Sequence, residues 1–360
     1  MKSYNRRNFL KSSILGGVGL TLANSASAFL ASTVPELPDS TVSLTAGGDR
    51  ADMVFRALQP FSKQIRTAIG NRRVVLKVNN VLIYVPLACT HADTLEGILE
   101  FLKSIGKISN AVIAESSASA STMEGFANYG YFSLLSRYPV KLIDLDNEPY
   151  RFMHVIDEKD YRPRQIRVSE IILDPDSYIV SVARMKTHNT VGATLSLKNI
   201  VFGSPIKDKG FTLYNEDIRF STLAKKSEPG AVSYKRLIHG GGFHAVNYNM
   251  AMLAQKLHPD LAIIDGFEGM EGNGPTLGTP VRHGVCVASQ DWLAADRVGV
   301  ELMGIDFSRI GYLNHCAKMG MGAVDLARIE IRGENLKDHI RKYEMPPNFE
   351  RQGAWMNPKA

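Results

Sequence analysis

Cysteine is scarce in this sequence, with three among 360 residues. Cys89, Cys286 and Cys316 lie far apart and show no C-x-x-C spacing. Iron-sulfur clusters are held mainly by grouped cysteine thiolates, and small secreted domains that depend on disulfides carry a dense set of cysteines. The sequence therefore contains no iron-sulfur cluster motif and no disulfide framework, and it allows at most a single disulfide.

A common catalytic motif and a common dinucleotide-binding motif are also missing. Because no G-x-S-x-G sequence occurs anywhere, the stretch 239–242, His-Gly-Gly-Gly, is not interpreted as the oxyanion loop of an esterase. It is either a hinge, which we favour, or an anion cradle at a helix start. The glycines Gly272, Gly274 and Gly278 miss the spacing of the dinucleotide fingerprint, and Pro275 interrupts them.

Long apolar runs are absent as well, since no stretch reaches the roughly 20 residues that a membrane-spanning helix needs. The short run at residues 14–23 follows Asn5-Arg6-Arg7-Asn8-Phe9-Leu10-Lys11, a twin-arginine export motif, and precedes an Ala-Ser-Ala cleavage site at 26–28. We predict that residues 1–28 are a signal peptide recognised by the twin-arginine export machinery. The mature chain is then periplasmic or otherwise extracytoplasmic, with no stable membrane span.

The basic character of the chain belongs largely to this signal. The formal net charge is +6, and it falls to about +2 when residues 1–28, with four basic residues and no acid, are removed. The remainder holds no stripe of lysine and arginine interleaved with aromatic residues, so a nucleic-acid partner is not expected. Because twin-arginine export carries folded proteins that often hold a cofactor, a bound metal or organic cofactor remains open.

An alternation of strand and helix patterns determines the predicted fold. Residues 74–78, 110–115 and 140–145 read as strands, and residues 94–105 and 123–137 between them read as helices. This order predicts an α/β fold, a mostly parallel sheet with helices on both faces.

The remaining segments set the predicted domain boundaries. We predict a flexible tether at residues 29–48, one α/β domain at residues 49–334 and a C-terminal tail at residues 335–360. The domain carries insertions near 147–172 and 207–234, and the second insertion is predicted to be a mobile lid.

The stretch 183–205 concentrates the chemistry of the chain. Lys186, Thr187 and His188 follow the apolar run 178–183, at the carboxyl end of a predicted strand, where open α/β sheets bind ligands. Residues 190–200 read as a helix whose N-terminal amides would face the same space, and this combination suits an anion. The alternative is that Lys186 and Lys198 are solvated and His188 caps a turn.

Two further segments supply candidate groups. His91 ends another extended run, so parallel strands would bring it near His188, and two imidazoles with Asp265 or Glu115 suit either proton transfer or a divalent metal. The glycine-rich stretch 265–278 adds the carboxylates of Glu268 and Glu271, with backbone amides that approach a ligand closely. Its alternative interpretation is a tight structural turn with solvated acids.

Several of these blocks together resemble the Domain of Unknown Function 362 family. The resemblance runs in order over most of the mature chain, in the following blocks: Lys77-Val-Asn79; Thr90-His91; Glu115; Lys186-Thr-His188 with Lys198-Asn199; Asp265 with Glu271-Gly-Asn-Gly-Pro275 and Gly278; and Asp291 with Asp296 before Met303-Gly304. Many members look like fusions to ferredoxin-type modules, whose cysteines this sequence lacks. The family is also distantly similar to nickel-pincer lactate racemases, which implies a lysine-tethered organic nickel cofactor and histidine acid/base groups, although no lysine here matches the tethering one by motif.

The sequence thus leaves two functions open. The first is an enzyme that acts on a small anionic molecule in a cleft formed by the loops 77–91, 184–199 and 265–278; the second is a non-catalytic periplasmic binding or cofactor-handling protein that uses the same cleft. The predicted proton-transfer groups are His188, His91 and Asp265. The predicted anion ligands are Lys186, Thr187, Lys198, Asn199, Lys77, Gly272 and Gly274. The alternative divalent metal would be held by His91, His188, Glu115, Asp265 and Glu271.

Overall fold

The computed structural model describes residues 39–213 and 227–357. Its strands are β1 (Ser40–Ala46), β2 (Arg73–Lys77), β3 (Ala111–Glu115), β4 (Lys141–Asp144), β5 (Tyr150–Ile156), β6 (Pro163–Ser169), β7 (Ser177–His188), β8 (Gly192–Thr194), β9 (Leu261–Glu271), β10 (Thr279–Val281), β11 (Val285–Ser289) and β12 (Ile329–Gly333). Its α-helices are α1 (Arg50–Leu58), α2 (Ser62–Ile69), α3 (Ala92–Ser104), α4 (Thr122–Asn128), α5 (Glu170–Leu173), α6 (Ser196–Gly203), α7 (Tyr234–Leu237), α8 (Phe243–Ala254), α9 (Trp292–Leu302), α10 (Gly311–Lys318) and α11 (Phe349–Gln352).

Ten strands form one mixed sheet in the order β12-β1-β11-β9-β7-β2-β3-β4, with β10 paired to β9 and β8 to β7. The run from β9 through β7, β2 and β3 to β4 is parallel, whereas β11 is antiparallel to both of its neighbours. The predicted α/β fold class is confirmed. Because parallel strands end at one edge, the carboxyl ends of β2, β3 and β7 lie side by side there.

Helices cover both faces of the sheet, each over its own apolar layer. On one face, α1, α2 and α3 pack against side chains such as Val74 and Ile263. On the other face, α6, α8 and α9 pack against side chains such as Val75 and Ile264. Alternation with a period of two residues therefore assigns successive strand residues to different layers.

Several predicted elements have different boundaries. The tether predicted at 29–48 is wrong over Ser40–Ala46, since this segment is β1, hydrogen-bonded between β11 and β12; residues 29–38 lie outside the described residues. The glycine-rich stretch 265–278 is largely strand, because β9 continues to Glu271 before the chain turns into β10. The helix predicted over 190–200 is replaced by β8 and α6, so that helix begins at Ser196.

The structure also describes the first predicted insertion, the two ends of the second, and the predicted tail. Residues 150–169 form the antiparallel hairpin β5-β6. The predicted lid at 207–234 is described only at its two ends, where Lys207 and Ser233 pair, and its residues 214–226 lie outside the described part. The predicted tail packs on the body, because buried Gln352 accepts a hydrogen bond from Gly192 N–H and donates one to the carbonyl of His188.

Across the described ranges, no helix combines the length and the apolarity that crossing a bilayer requires.

Candidate functional site

A cavity of about 510 Å³ opens at the sheet edge where β2, β3 and β7 end. Four of the predicted site residues line it, namely Glu115, His188, Lys198 and Asn199. The other lining residues come from the segments after β2 and β3, from α6, from the described ends of the 207–234 segment, from the region around α7 and from the turn after β9: Asn79, Asn80, Val81, Ser116, Ala118, Phe202, Gly203, Leu213, Ser233, Lys235, Arg236, His239 and Pro275.

A buried ion pair forms the floor of this region. Lys77 Nζ lies 2.5 Å from Glu115 Oε1, and both side chains are almost fully inaccessible. Glu115 also accepts the backbone N–H groups of Asn80 at 2.7 Å and of Ser116 at 2.8 Å, and Lys77 Nζ donates to the carbonyl of Val78. Lys77 and Glu115 thus satisfy each other, and neither is free to bind the predicted anion or metal.

Helix α6 carries four of the cavity residues, and a remote carboxylate holds its N-terminus. Asp296 accepts the N–H groups of Ser196 at 2.7 Å and of Leu197 at 3.0 Å. The prediction that these amides face the ligand is therefore wrong, because the two N–H groups are already bonded. Asn199, one turn along, donates to the carbonyl of Lys77 and to Ser181 Oγ, so that it ties α6 to β2 and β7.

Lys198 is a buried basic side chain that borders the cavity and has no acidic partner among the described residues. Its side chain is 6% exposed, and Nζ lies 4.5 Å from the centre of the Phe202 ring. Among the described residues it has neither a hydrogen-bond acceptor nor an acidic partner. Burial, together with the nearby charge of Lys186, lowers the pKa of Lys198 well below its ordinary value.

Three cavity residues follow the predicted lid, and two of them, Lys235 and Arg236, are not among the predicted candidates. Buried Lys235 donates to the carbonyls of Phe202, Gly203 and Pro205. Arg236 is exposed and borders the cavity, and His239 packs edge-on against the Phe202 ring with centroids 5.1 Å apart. Burial and the charge of Lys198 lower the pKa of His239 to about 4. The basic pair at 235–236 is the signal in the sequence that could have identified these two residues, whereas the sequence prediction for this region concerned the lid and the 239–242 stretch, as a hinge or an anion cradle.

His188 borders the cavity as a neutral hydrogen-bond donor. The N–H of Thr190 donates to its Nδ1 at 3.0 Å, and burial lowers the pKa of the ring well below its ordinary value, assisted by Lys198 and His239. With Nδ1 acting as an acceptor, the ring proton sits on Nε2. Nε2 then offers no lone pair to a metal or to a substrate proton, which argues against both roles predicted for His188.

Lys186 and Thr187 do not line the cavity. Lys186 is fully buried and its Nζ donates to the carbonyl of Ala88. Burial lowers the pKa of Lys186 to about 7. The Thr187 hydroxyl donates to the carbonyl of Gly272 at 2.9 Å. Both residues therefore stabilise the strand end rather than contact a ligand in this cavity.

The buried amine of Lys186 makes stability depend on pH. Between pH values of about 7 and 10.5 the unfolded chain holds a proton at this group that the folded chain lacks, so stability rises with pH across this window. The contribution is lost as the pH falls through about 7. Lys186→Met should reduce the slope of the unfolding free energy between pH 7.5 and 9.5 by up to about 1.4 kcal/mol per pH unit.

Urea unfolding at several pH values measures this slope. Lys256→Met is the matched control, because Lys256 is exposed and its removal should leave the pH dependence unchanged. Equal slopes for the wild type and Lys186→Met would show that the Lys186 amine keeps its proton in the folded chain.

The predicted glycines support the cavity wall instead of contacting a ligand. Gly274 lies so close to Thr187 that any side chain there would collide with the Thr187 carbonyl, and the Gly274 carbonyl accepts the N–H of Asn189. Gly272 takes the left-handed conformation, with φ of +74°, at the turn after β9. The turn thereby seats Pro275 against the cavity.

Asp265 and His91 belong to a separate cluster on the opposite face of the sheet. Asp265 accepts a hydrogen bond from the hydroxyl of Thr94 in α3 at 2.6 Å, and Arg50 and Arg184 lie 3.5 and 3.6 Å from the same oxygen. His91 accepts the N–H of Asp93 as the N-cap of α3, with 45% of its side chain exposed. The expectation that all strand-end groups share one cleft is therefore wrong for these two residues.

The predicted metal ligands are not assembled. Glu115 is paired with Lys77, Asp265 and His91 lie on the other face, and Glu271 accepts the N–H of Glu344 at 2.9 Å. Within residues 39–213 and 227–357, no group of three or more His, Cys, Asp or Glu side chains has an arrangement that could hold a metal ion.

Comparisons with known proteins locate these residues in a family. A family model described as "Domain of unknown function (DUF362)" matches residues 74–301, which include the ends of β2, β3 and β7 and all of α6. The protein named "Thylakoid-associated protein sll1697", from Synechocystis sp. (strain ATCC 27184 / PCC 6803 / Kazusa), is 23% identical over 194 residues, covering 54% of this chain. The chain spans about half the length of this relative, 51%. The resemblance to lactate racemases stays a prediction.

Proposed function

Because the chain belongs to the DUF362 family, whose description states no activity, we propose its function from the cavity at the sheet edge: it binds a small organic anion there. The observation that carries the proposal is Lys198, a buried lysine that borders the cavity and has no acidic partner among the described residues. A buried ammonium is costly unless an opposite charge accompanies it, so an anionic ligand is the group that would complete this site.

The charge balance of the lining supports an anion over a cation. Lys198, Lys235 and Arg236 contribute basic groups, whereas Glu115 is the one carboxylate among the described lining residues. The charge of Glu115 is already matched by Lys77 at 2.5 Å. An anion in the cavity would also find a neutral donor in Nε2–H of His188, while the Phe202 ring provides an apolar wall for a short carbon chain.

The proposed binding of an anion uses only groups of the protein itself. Lys198 would supply a positive charge and His188 a hydrogen-bond donor, and neither contribution requires a metal. The proposal covers both functions left open by the sequence, since an enzyme and a binding protein would each begin by holding the anion. Conversion of a bound acid, measured in the same preparation, separates the two.

Calorimetric titration of the purified chain with matched ligands tests the proposal. Propionate, butyrate and succinate should bind, while propionamide and butyramide, of similar shape but uncharged, should not. Affinity for the acids should fall as pH rises, because burial lowers the pKa of the unoccupied Lys198 and an anion prefers the protonated form. Equal binding of acids and amides would contradict an anion site.

We also propose that the chain acts outside the cytoplasm, on the strength of the motif at residues 5–11, which lies outside the described residues. Replacing Arg6 and Arg7 together by lysine should leave the protein in the cytoplasmic fraction of a bacterium with an active twin-arginine pathway. The unaltered chain should reach the periplasmic fraction in a shortened form. Identical distribution of the two proteins, followed by immunoblotting of the fractions, would contradict this export route.

A further inference from the structure

The cavity contains two buried lysines whose ammonium groups are held very differently. Lys198 and Lys235 are each 6% exposed. Lys235 Nζ donates to three backbone carbonyls, at 3.3 Å for Phe202, 3.1 Å for Gly203, and at closer range for Pro205. Lys198 Nζ has no such acceptor among the described residues and faces the Phe202 ring.

This difference favours reaction at Lys198 over reaction at Lys235. Three carbonyl acceptors use all three N–H donors of an ammonium, so this geometry favours the protonated form of Lys235 against the burial that lowers the pKa of this group to about 7. No carbonyl or carboxylate holds the proton on Lys198, and burial with a second lysine nearby favours its neutral form. A desolvated amine next to another cation is the state in which lysine attacks carbonyl groups.

We propose that Lys198 forms an imine with the carbonyl carbon of its bound ligand, so that the ligand class is a small oxo acid. This inference rests on the proposed function, because the acid group is what brings the ligand into the cavity. The basic side chain of Arg236 and Nε2–H of His188 are the groups available for the carboxylate. A protonated imine keeps a positive charge at Lys198, so the anion retains a counter-charge after the bond has formed.

The step balances without any further reagent. The lone pair of the amine forms a bond to the carbonyl carbon while the C=O π bond breaks, and one amine proton passes to the oxygen to give a carbinolamine. The carbinolamine hydroxyl then takes one proton from solvent and leaves as water, while the nitrogen keeps its remaining proton, so that the C=N double bond formed is the protonated imine. No oxidation or reduction occurs, and the reverse reaction with water releases the oxo acid.

Reductive trapping tests the proposal on the full chain. The purified protein is incubated separately with glyoxylate, pyruvate, 2-oxobutyrate and 2-oxoglutarate in the presence of sodium cyanoborohydride, which delivers hydride to the imine carbon. Intact mass measurement should show a single stable adduct with at least one of these acids, and peptide mapping should locate it on Lys198. Excess propionate, which occupies the same site and has no carbonyl, should slow the labelling.

Lys198→Arg separates the imine from anion binding, because arginine keeps the charge and provides no reactive amine. This variant should still bind propionate and should give no adduct. Adducts spread over surface lysines, or located on Lys235, would overturn the proposal, and so would labelling of Lys198→Arg at the wild-type rate. If propionate binds the wild type but no oxo acid is trapped, the imine is wrong and the anion site stands; if no acid binds, both are wrong.

Discussion

Glu115→Ala should lower the free energy of unfolding by about 3–5 kcal/mol. The alanine leaves the Lys77 ammonium buried without its carboxylate, and it also removes the acceptor of two backbone N–H groups. Both groups lose water on folding, so each becomes costly once its partner is gone. Chemical denaturation monitored by circular dichroism provides the measurement.

Two matched variants test whether burial of the Lys77–Glu115 pair causes this loss of stability. Asp52→Ala removes the carboxylate of an exposed ion pair with Arg56, where a loss of about 0–1 kcal/mol is expected. The double variant Lys77→Met/Glu115→Leu removes both buried charges and should recover much of the loss. A cost for Glu115→Ala no larger than that for Asp52→Ala would contradict the description of this pair as a buried structural element.

Lys198→Met should reduce the affinity for a small carboxylate by roughly 10- to 100-fold, which corresponds to the 1.5–3 kcal/mol of a hydrogen bond to a charged group. Methionine fills a similar volume, so the packing against Phe202 is kept while the charge is removed. The fold should be retained or stabilised, because the variant relieves an unpaired buried amine. Calorimetric titration with butyrate gives the affinity, and a melting temperature at or above that of the wild type excludes misfolding.

Lys256→Met serves as the control here too, since it removes an exposed positive charge that does not border the cavity. It should bind butyrate as the wild type does. Equal loss of affinity in the two variants would mean that the net charge of the protein, and not a site at Lys198, attracts the acid.

The sequence was sufficient to predict the layered α/β fold, because the alternation of apolar strands and amphipathic helices depends on local patterns. It was also sufficient to identify the neighbourhood of Lys198 and His188. The predicted position of Asp265 was wrong, because the prediction considered at which end of a strand each residue lies and not which face of the sheet its side chain occupies. Asp265 shares its face of β9 with Ile263, which packs beneath α1 and α3, whereas α6 covers the other face.

The beginning of α6 could not be predicted locally for a different reason. Its N-terminal amides are bound by Asp296, which lies 100 positions further along the chain, so no nearby residue marks the helix start. The Lys77–Glu115 pair likewise depends on β2 and β3 being neighbours, and spacing along the chain does not fix that pairing. Residues that are distant in sequence thus determine which polar groups already have a hydrogen-bond or ion-pair partner. The structure is therefore needed to identify the polar groups that remain available to a ligand.

The claim that Lys198 is the receptor for the anion is tested most directly by proton uptake. Titrating butyrate into the protein near pH 8, in buffers of different ionisation enthalpy, gives the number of protons taken up from the change in observed enthalpy. Because the pKa of the unoccupied Lys198 is depressed and a bound carboxylate raises it, binding should be accompanied by a net uptake of protons. Lys198→Met, titrated at higher butyrate concentration, should take up almost none. Binding without proton uptake, or uptake that persists in Lys198→Met, would contradict the assignment.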